Sequence, residues 1–119
     1  MNFEANDMKV LGAIVGGGKT FKNIRVTTRL DKDEQEKILG FLDQSKLITA
    51  TEGTSFFGQA KFYFAATDEG TKKVHEYIEE LKGEWKKIIQ FVTDGQRQEL
   101  DEYMKQHSLL VNMMLFFKI

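Results

Sequence analysis

The 119 residues suffice for one domain with a core and leave little for a second. Hydrophobic residues at 41% and charged residues at 29% describe a globular chain rather than a disordered one, and the formal charge of −1 offers no overall basic excess. The absence of cysteine excludes a disulfide framework, a thiol nucleophile and a thiolate metal site.

Asn2, Glu4, Asn6 and Asp7 interrupt any apolar run at the N-terminus, so no secretory leader is read there and a cytoplasmic location is expected. The longest apolar stretch, Leu109 to Phe117, is too short to cross a bilayer and contains Asn112, so no membrane partner is expected.

Asp7 to about Val15 reads as a first helix, with Met8, Leu11 and Val15 on one face and Gly16-Gly17-Gly18 as its stop. Thr20 can cap a short second helix through about Val26, anchored by Ile24. Thr27-Thr28-Arg29 forms the turn, with Leu30 pointing inward. Ile38, Leu39, Leu42 and Leu47 then mark an amphipathic third helix that starts at about Lys32, where Asp31 and Glu34 have the form of a capping box.

Leu47 to Thr51 turns to β-branched residues and predicts a strand. Glu52 to Gly58 reads as a glycine-bounded tip, and Gln59 to Ala66 as the returning strand. On that strand Phe62 and Phe64 are expected buried, and Lys61 and Tyr63 wet. Thr67-Asp68 opens a long helix whose stripe runs Val74, Tyr77, Ile78, Leu81, Trp85, Ile88, Ile89, Val92. Thr93-Asp94-Gly95 ends it, and Asp94 is expected to cap one last helix carrying Leu100, Met104, His107, Leu110 or Val111, Met114 and Phe117.

The final dozen residues are apolar on nearly every side and must be covered. A two-fold homodimer through the first helix and the last two helices would cover them. The only compositional seam, near Thr67, separates a head at residues 1–66 from long helices at residues 67–119 within one continuous domain.

The order helix, helix-turn-helix, two-stranded wing, long helix, terminal helix resembles the MarR and PadR types of winged helix-turn-helix transcription regulator. Ile24, Leu30, Leu39, Leu42, Leu47-Ile48 and Tyr63–Ala65 before Thr67-Asp68-Glu69-Gly70 carry the likeness, the last as a Thr-x-x-Gly after the wing. The resemblance implies a mostly α fold with a small antiparallel β wing and long C-terminal dimerisation helices. It further implies a DNA-binding regulator, not an enzyme, with the third helix in the major groove and the wing beside the minor groove. A small apolar effector is then possible in a crevice lined by Trp85, Tyr77 and Met104.

The local charge pattern fits double-stranded DNA better than the global charge does. No acid occurs from Met8 to Leu30, and Lys19, Lys22, Arg25 and Arg29 flank the second helix, where they could grip phosphates. Thr20, Thr27 and Thr28 could add hydroxyl contacts, Lys32, Gln35 and Lys37 could reach base edges, and Lys61 could reach from the wing. Phe56-Phe57 could wedge between bases. Asp31, Asp33, Glu34 and Glu36 keep a second reading open, a winged-helix protein-interaction module without DNA binding.

Ala13 to Thr20 satisfies a relaxed phosphate-loop pattern, but helix precedes it where a strand is required and no parallel sheet follows. Two histidines without cysteine make no metal site, no cofactor is implied, and no serine or histidine lies in a catalytic constellation.

Overall fold

The structure, a computed structural model, describes residues 3–54 and 60–119. Among them the elements are α1 (Ala5–Val15), α2 (Phe21–Thr28), α3 (Lys32–Gln44), β1 (Ile48–Thr54), β2 (Ala60–Ala66), α4 (Asp68–Thr93), α5 (Arg97–Gln106) and α6 (Ser108–Phe116). The protein is mostly α with one small antiparallel sheet, as the sequence predicts. Its packing divides it into two units, residues 1–74 and 75–119, with the division inside α4.

In the N-terminal unit α1 lies against α2, α3 and β2. The buried apolar set is Met8, Val10, Leu11, Ala13 and Ile14 from α1, Ile24 from α2, Ile38, Leu39 and Leu42 from α3, Ile48 and Val74. Each helix stop has a local cause. After α1, Gly17 takes φ 113°, and the N–H groups of Gly17 and Gly18 donate to Ile14 and Ala13, a Schellman closure. After α3 the same closure falls on Lys46 at φ 61°, with Leu47 N–H on the Leu42 carbonyl at 3.0 Å. That closure delivers the chain straight into β1.

The start of α3 differs from the expected capping box. Asp31 is the N-cap residue but makes no side-chain capping bond, and Glu34 instead accepts from the Asn6 amide at 2.8 Å. A reciprocal box forms at α1, where the Glu4 N–H donates to the Asp7 carboxylate at 2.7 Å.

The wing strands pair from Ile48↔Ala66 to Thr54↔Ala60, so Glu52, Gly53 and Thr54 belong to the strand rather than to the tip. Phe56 and Phe57 lie outside the described residues. Thr20 bridges Tyr63, and Phe64 N–H donates to the Lys19 carbonyl at 2.7 Å. A rudimentary third strand, which periodicity cannot reveal in two residues, thus ties the entrance of α2 to the wing.

The Thr-x-x-Gly has a physical meaning. Thr67 N–H donates to the Leu47 carbonyl, its hydroxyl donates to the Lys46 carbonyl at 2.8 Å, and the same oxygen accepts from Gly70 N–H at 3.1 Å. A Cβ at Gly70 would sit 2.0 Å from the Leu47 carbonyl oxygen. Glycine lets α4 pass directly over the end of the helix-turn-helix.

In the C-terminal unit α4 closes on Gly95 at φ 68°, with Gln96 N–H on the Phe91 carbonyl. Asp94 does not cap the next helix; Gln96 holds that position, and the Asp94 carboxylate accepts from the Gln90 amide at 2.9 Å. The expected single last helix is two, separated at His107, which has φ −119° and ψ 35°. The His107 ring folds back to stack on Tyr103 at 4.2 Å, and its Nδ1 lies 3.0 Å from the Tyr103 carbonyl oxygen.

Tyr103 also joins α5 to α4. Its hydroxyl donates to the Glu84 carboxylate, which receives Lys87 Nζ at 3.1 Å, and its ring packs on Phe91 at 5.6 Å. Desolvation, and then the bond to Glu84, pushes the Tyr103 hydroxyl up to about 12. The hydrogen bonds from Tyr103 and then Lys87 hold the Glu84 carboxyl below its usual range.

Candidate nucleic-acid interface

Of the basic side chains around α2, Arg25 is braced by a backbone carbonyl. Thr20 caps the helix by accepting from Asn23 N–H at 3.1 Å, which fixes its hydroxyl and leaves it half-buried. Lys19, Lys22, Arg25, Thr27 and Arg29 are exposed. The Thr27 hydroxyl donates back to the Asn23 carbonyl at 3.2 Å, and Arg25 Nε donates to the Leu30 carbonyl at 3.3 Å, bracing the turn. Arg29 occupies the left-handed region at φ 60°, where glycine is cheapest.

Two residues expected at the interface belong to the interior. Gln35 is fully buried; its Nε2 donates to the Phe21 carbonyl at 2.9 Å and its Oε1 accepts from the Thr28 hydroxyl at 3.1 Å. Thr28 is buried as well, and its hydroxyl oxygen also accepts from Leu30 N–H at 3.3 Å. Together they form a polar bolt between α2 and α3. The reason is angular: Gln35 falls on the same side of α3 as Ile38, Leu39 and Leu42. Neither side chain can reach a base or a phosphate.

The outward side of α3 is the stripe Asp33, Lys37, Gly40, Gln44, all exposed, with Lys32 and Glu36 beside it. Gln44, absent from the residues expected at the interface, is on it; the interval of seven from Lys37 is the signal that could have found it. A Cβ added at Gly40 would meet nothing within 4 Å, so nothing in the fold requires glycine there.

Wing, α2 and α3 meet at a groove of about 570 Å³ lined by Thr20, Phe21, Lys22, Glu36, Leu39, Lys61, Phe62 and Phe64. Phe62, expected buried, is 52% exposed, because its side of β2 faces this opening and not a packed helix. Lys61 lies 5.9 Å from the centre of the Tyr63 ring. Gly53 leaves room for that ring to cross the strand pair. Lys22 and Lys61 therefore reach one rim from different elements.

The glycine run before α2 does not cradle phosphate. The N–H groups of Gly16, Gly17 and Gly18 are all donated to carbonyls of α1, at 2.9, 3.1 and 2.8 Å. Tyr77, named for an effector crevice, packs edge-on against Phe117 at 5.7 Å, while Trp85 and Met104 are exposed.

These elements define a winged helix-turn-helix of the type found in MarR and PadR regulators. Solved structures agree on the fold. A PadR family transcription regulator from Clostridium difficile R20291 superposes with a TM-score of 0.65 at 18% identity, over 75% of this chain and 99% of that one. MepR, a transcription regulator of the Staphylococcus aureus multidrug efflux pump MepA, gives 0.64 at 12% identity, over 88% and 77%. BpsR of Bordetella bronchiseptica, whose DNA binding is regulated by 6-hydroxynicotinic acid, gives 0.61 at 16%, over 90% and 76%. No protein-family model and no curated protein sequence matches the chain.

Proposed function

We propose that the protein is a homodimeric DNA-binding transcription regulator, with α3 in the major groove and the residues around α2 on phosphates. The supporting observation is the meeting of α2, α3 and the wing at one groove, which brings Lys22 and Lys61 to a common rim. Lys19, Arg25, Thr27 and Arg29 are further phosphate contacts, and Thr20 orients the entrance of α2. Lys32 and Lys37 face the duplex from α3. Gln35 and Thr28, being interior, are not part of the set.

Uncovered apolar surface in the C-terminal unit supports the dimer. Trp85, Ile89 and Val92 recur at helical spacing on α4 and are exposed, as are Leu109 and Leu115 on α6. Burying them against a second copy removes the cost of that surface. On α1 the large apolar side chains are already covered apart from half-exposed Val15, so its share of the interface is small. Two copies would set two α3 helices into successive major grooves about 34 Å apart. An effector of apolar character would lie in the groove under the wing against Phe21, Leu39, Phe62 and Phe64.

Fluorescence anisotropy on duplex DNA, with salt varied, tests this reading. Wild-type affinity should fall steeply with salt, and Lys22→Ala with Lys61→Ala should flatten the log–log slope by about 1.8 per half-site, roughly 0.9 for each phosphate no longer neutralised. An unchanged slope would remove both lysines from the interface. Absence of binding at low salt would overturn the function.

A further inference from the structure

Helix α3 carries a feature that its own fold does not need. Gly40 stands in the middle of a 13-residue helix, exposed, with open space where a Cβ would be. Glycine in a helix interior is disfavoured against alanine, and an internal packing reason would show as a close neighbour. Gly70 shows what such a reason looks like: a carbonyl oxygen 2.0 Å from the missing Cβ. Gly40 has none, so the backbone is bared toward the outside.

Its neighbours on the same side are informative. Taking α3 at about 100° per residue, Lys37 and Gln44 flank Gly40 on the side opposite Gln35, Ile38, Leu39 and Leu42. Asp33, at the far end of the stripe, is accounted for by the first turn, where carboxylates favour the helix dipole. Lys37 and Gln44 are seven residues apart, about 10.5 Å along the axis, which corresponds to about three base pairs. A lysine suits guanine O6 and N7, and a glutamine suits adenine N6 and N7.

We infer that Lys37, Gly40 and Gln44 form the base-reading edge of α3: Gly40 is the point of closest approach, Lys37 takes a guanine, and Gln44 takes an adenine about three base pairs away. This rests on the reading that the protein binds duplex DNA. The bare position lets the backbone sink toward the groove floor, which brings two side chains of moderate length onto base edges. Substituting Gly40 therefore has opposite effects on folding and on recognition, whereas a merely structural glycine would lose both together.

The test selects bound sequences from a pool of random duplexes of about 30 base pairs, using the full chain. Wild type should enrich a half-site with a guanine and an adenine about three positions apart. Gln44→Ala should lose the adenine preference by roughly tenfold or more, with the salt slope unchanged. Gly40→Ala should raise Tm by a few degrees. Gly40→Leu should weaken the selected site at least tenfold more than it weakens binding to a scrambled duplex. If wild type enriches a motif and Gln44→Ala and Gly40→Leu both reproduce it at full affinity, this inference is wrong and the DNA reading stands. If wild type binds no duplex at low salt, both fall.

Discussion

Gln35 offers the sharpest separation between a contact residue and a structural one. Replacing it with alanine removes two interior hydrogen bonds, to the Phe21 carbonyl and from the Thr28 hydroxyl, and one buried methylene. At roughly 0.5–1.5 kcal/mol for each bond and about 0.8 kcal/mol for the methylene, Gln35→Ala should cost roughly 2–4 kcal/mol. The Phe21 carbonyl lies in the first turn of α2 and has a helical partner within reach, so the lower half of that range is the better guide. Urea denaturation at fixed protein concentration reads the loss as a midpoint lowered by about 1–1.5 M, for a slope of about 2 kcal/mol/M. Gln35→Leu keeps the volume but strands the Thr28 hydroxyl. Adding Thr28→Val should recover part of the loss, a coupling of about 1 kcal/mol between the two positions. A Gln35→Ala protein within about 0.5 kcal/mol of wild type, but with weakened duplex binding, would refute the bolt and restore Gln35 to the interface.

Two glycines should respond in opposite directions. Gly70→Ala drives a methyl group into the Leu47 carbonyl and should destabilise by roughly 3 kcal/mol or abolish folding, whereas Gly83→Ala fills open space on exposed α4 and should stabilise by about 1 kcal/mol. Thermal denaturation of the pair checks both signs. A third expectation concerns pH. Tyr103 is pushed up from 10.0 to about 12 in the folded protein, so its share of stability is complete below pH 10 and is lost as pH rises toward about 12. Glu84, whose folded value is lowered, contributes above the ordinary carboxylate range and loses that contribution as pH falls through its folded value. Tyr103→Phe should flatten the alkaline limb and weaken the acid one. A stability–pH profile identical to wild type would show that the Tyr103–Glu84 bond is not formed in solution.

Much of the fold is local and therefore legible in the chain. Thr20 before α2 and the Gly16–Gly18 stop each act within about one helical turn, and the periodic apolar face of α3 is read from the spacing of its residues. Their structural consequences follow from propensity and hydrogen-bond chemistry. Legibility ends where two segments compete for one side chain. Glu34 has the right spacing to serve Asp31 but is taken by Asn6, and Asp94 is placed to cap α5 but is taken by Gln90 of the preceding helix. At His107 the break is accompanied by the ring stacked upon Tyr103.

For the interface, the chain by itself determined which residues are available: exposed cations gather before Leu30, at Lys19, Lys22, Arg25 and Arg29, because the stretch from Met8 to Leu30 holds no acid. Periodicity sorts the positions of α3 into two sides, and only the tertiary structure decided what covers the apolar side and which bonds hold Gln35 there. Polarity alone cannot place Gln35 inside or Gln44 outside, since the two side chains are chemically identical. Their positions on α3 differ by about 180° at helical periodicity, and the apolar side is docked against α1. That docking is a property of the packed unit, not of either residue.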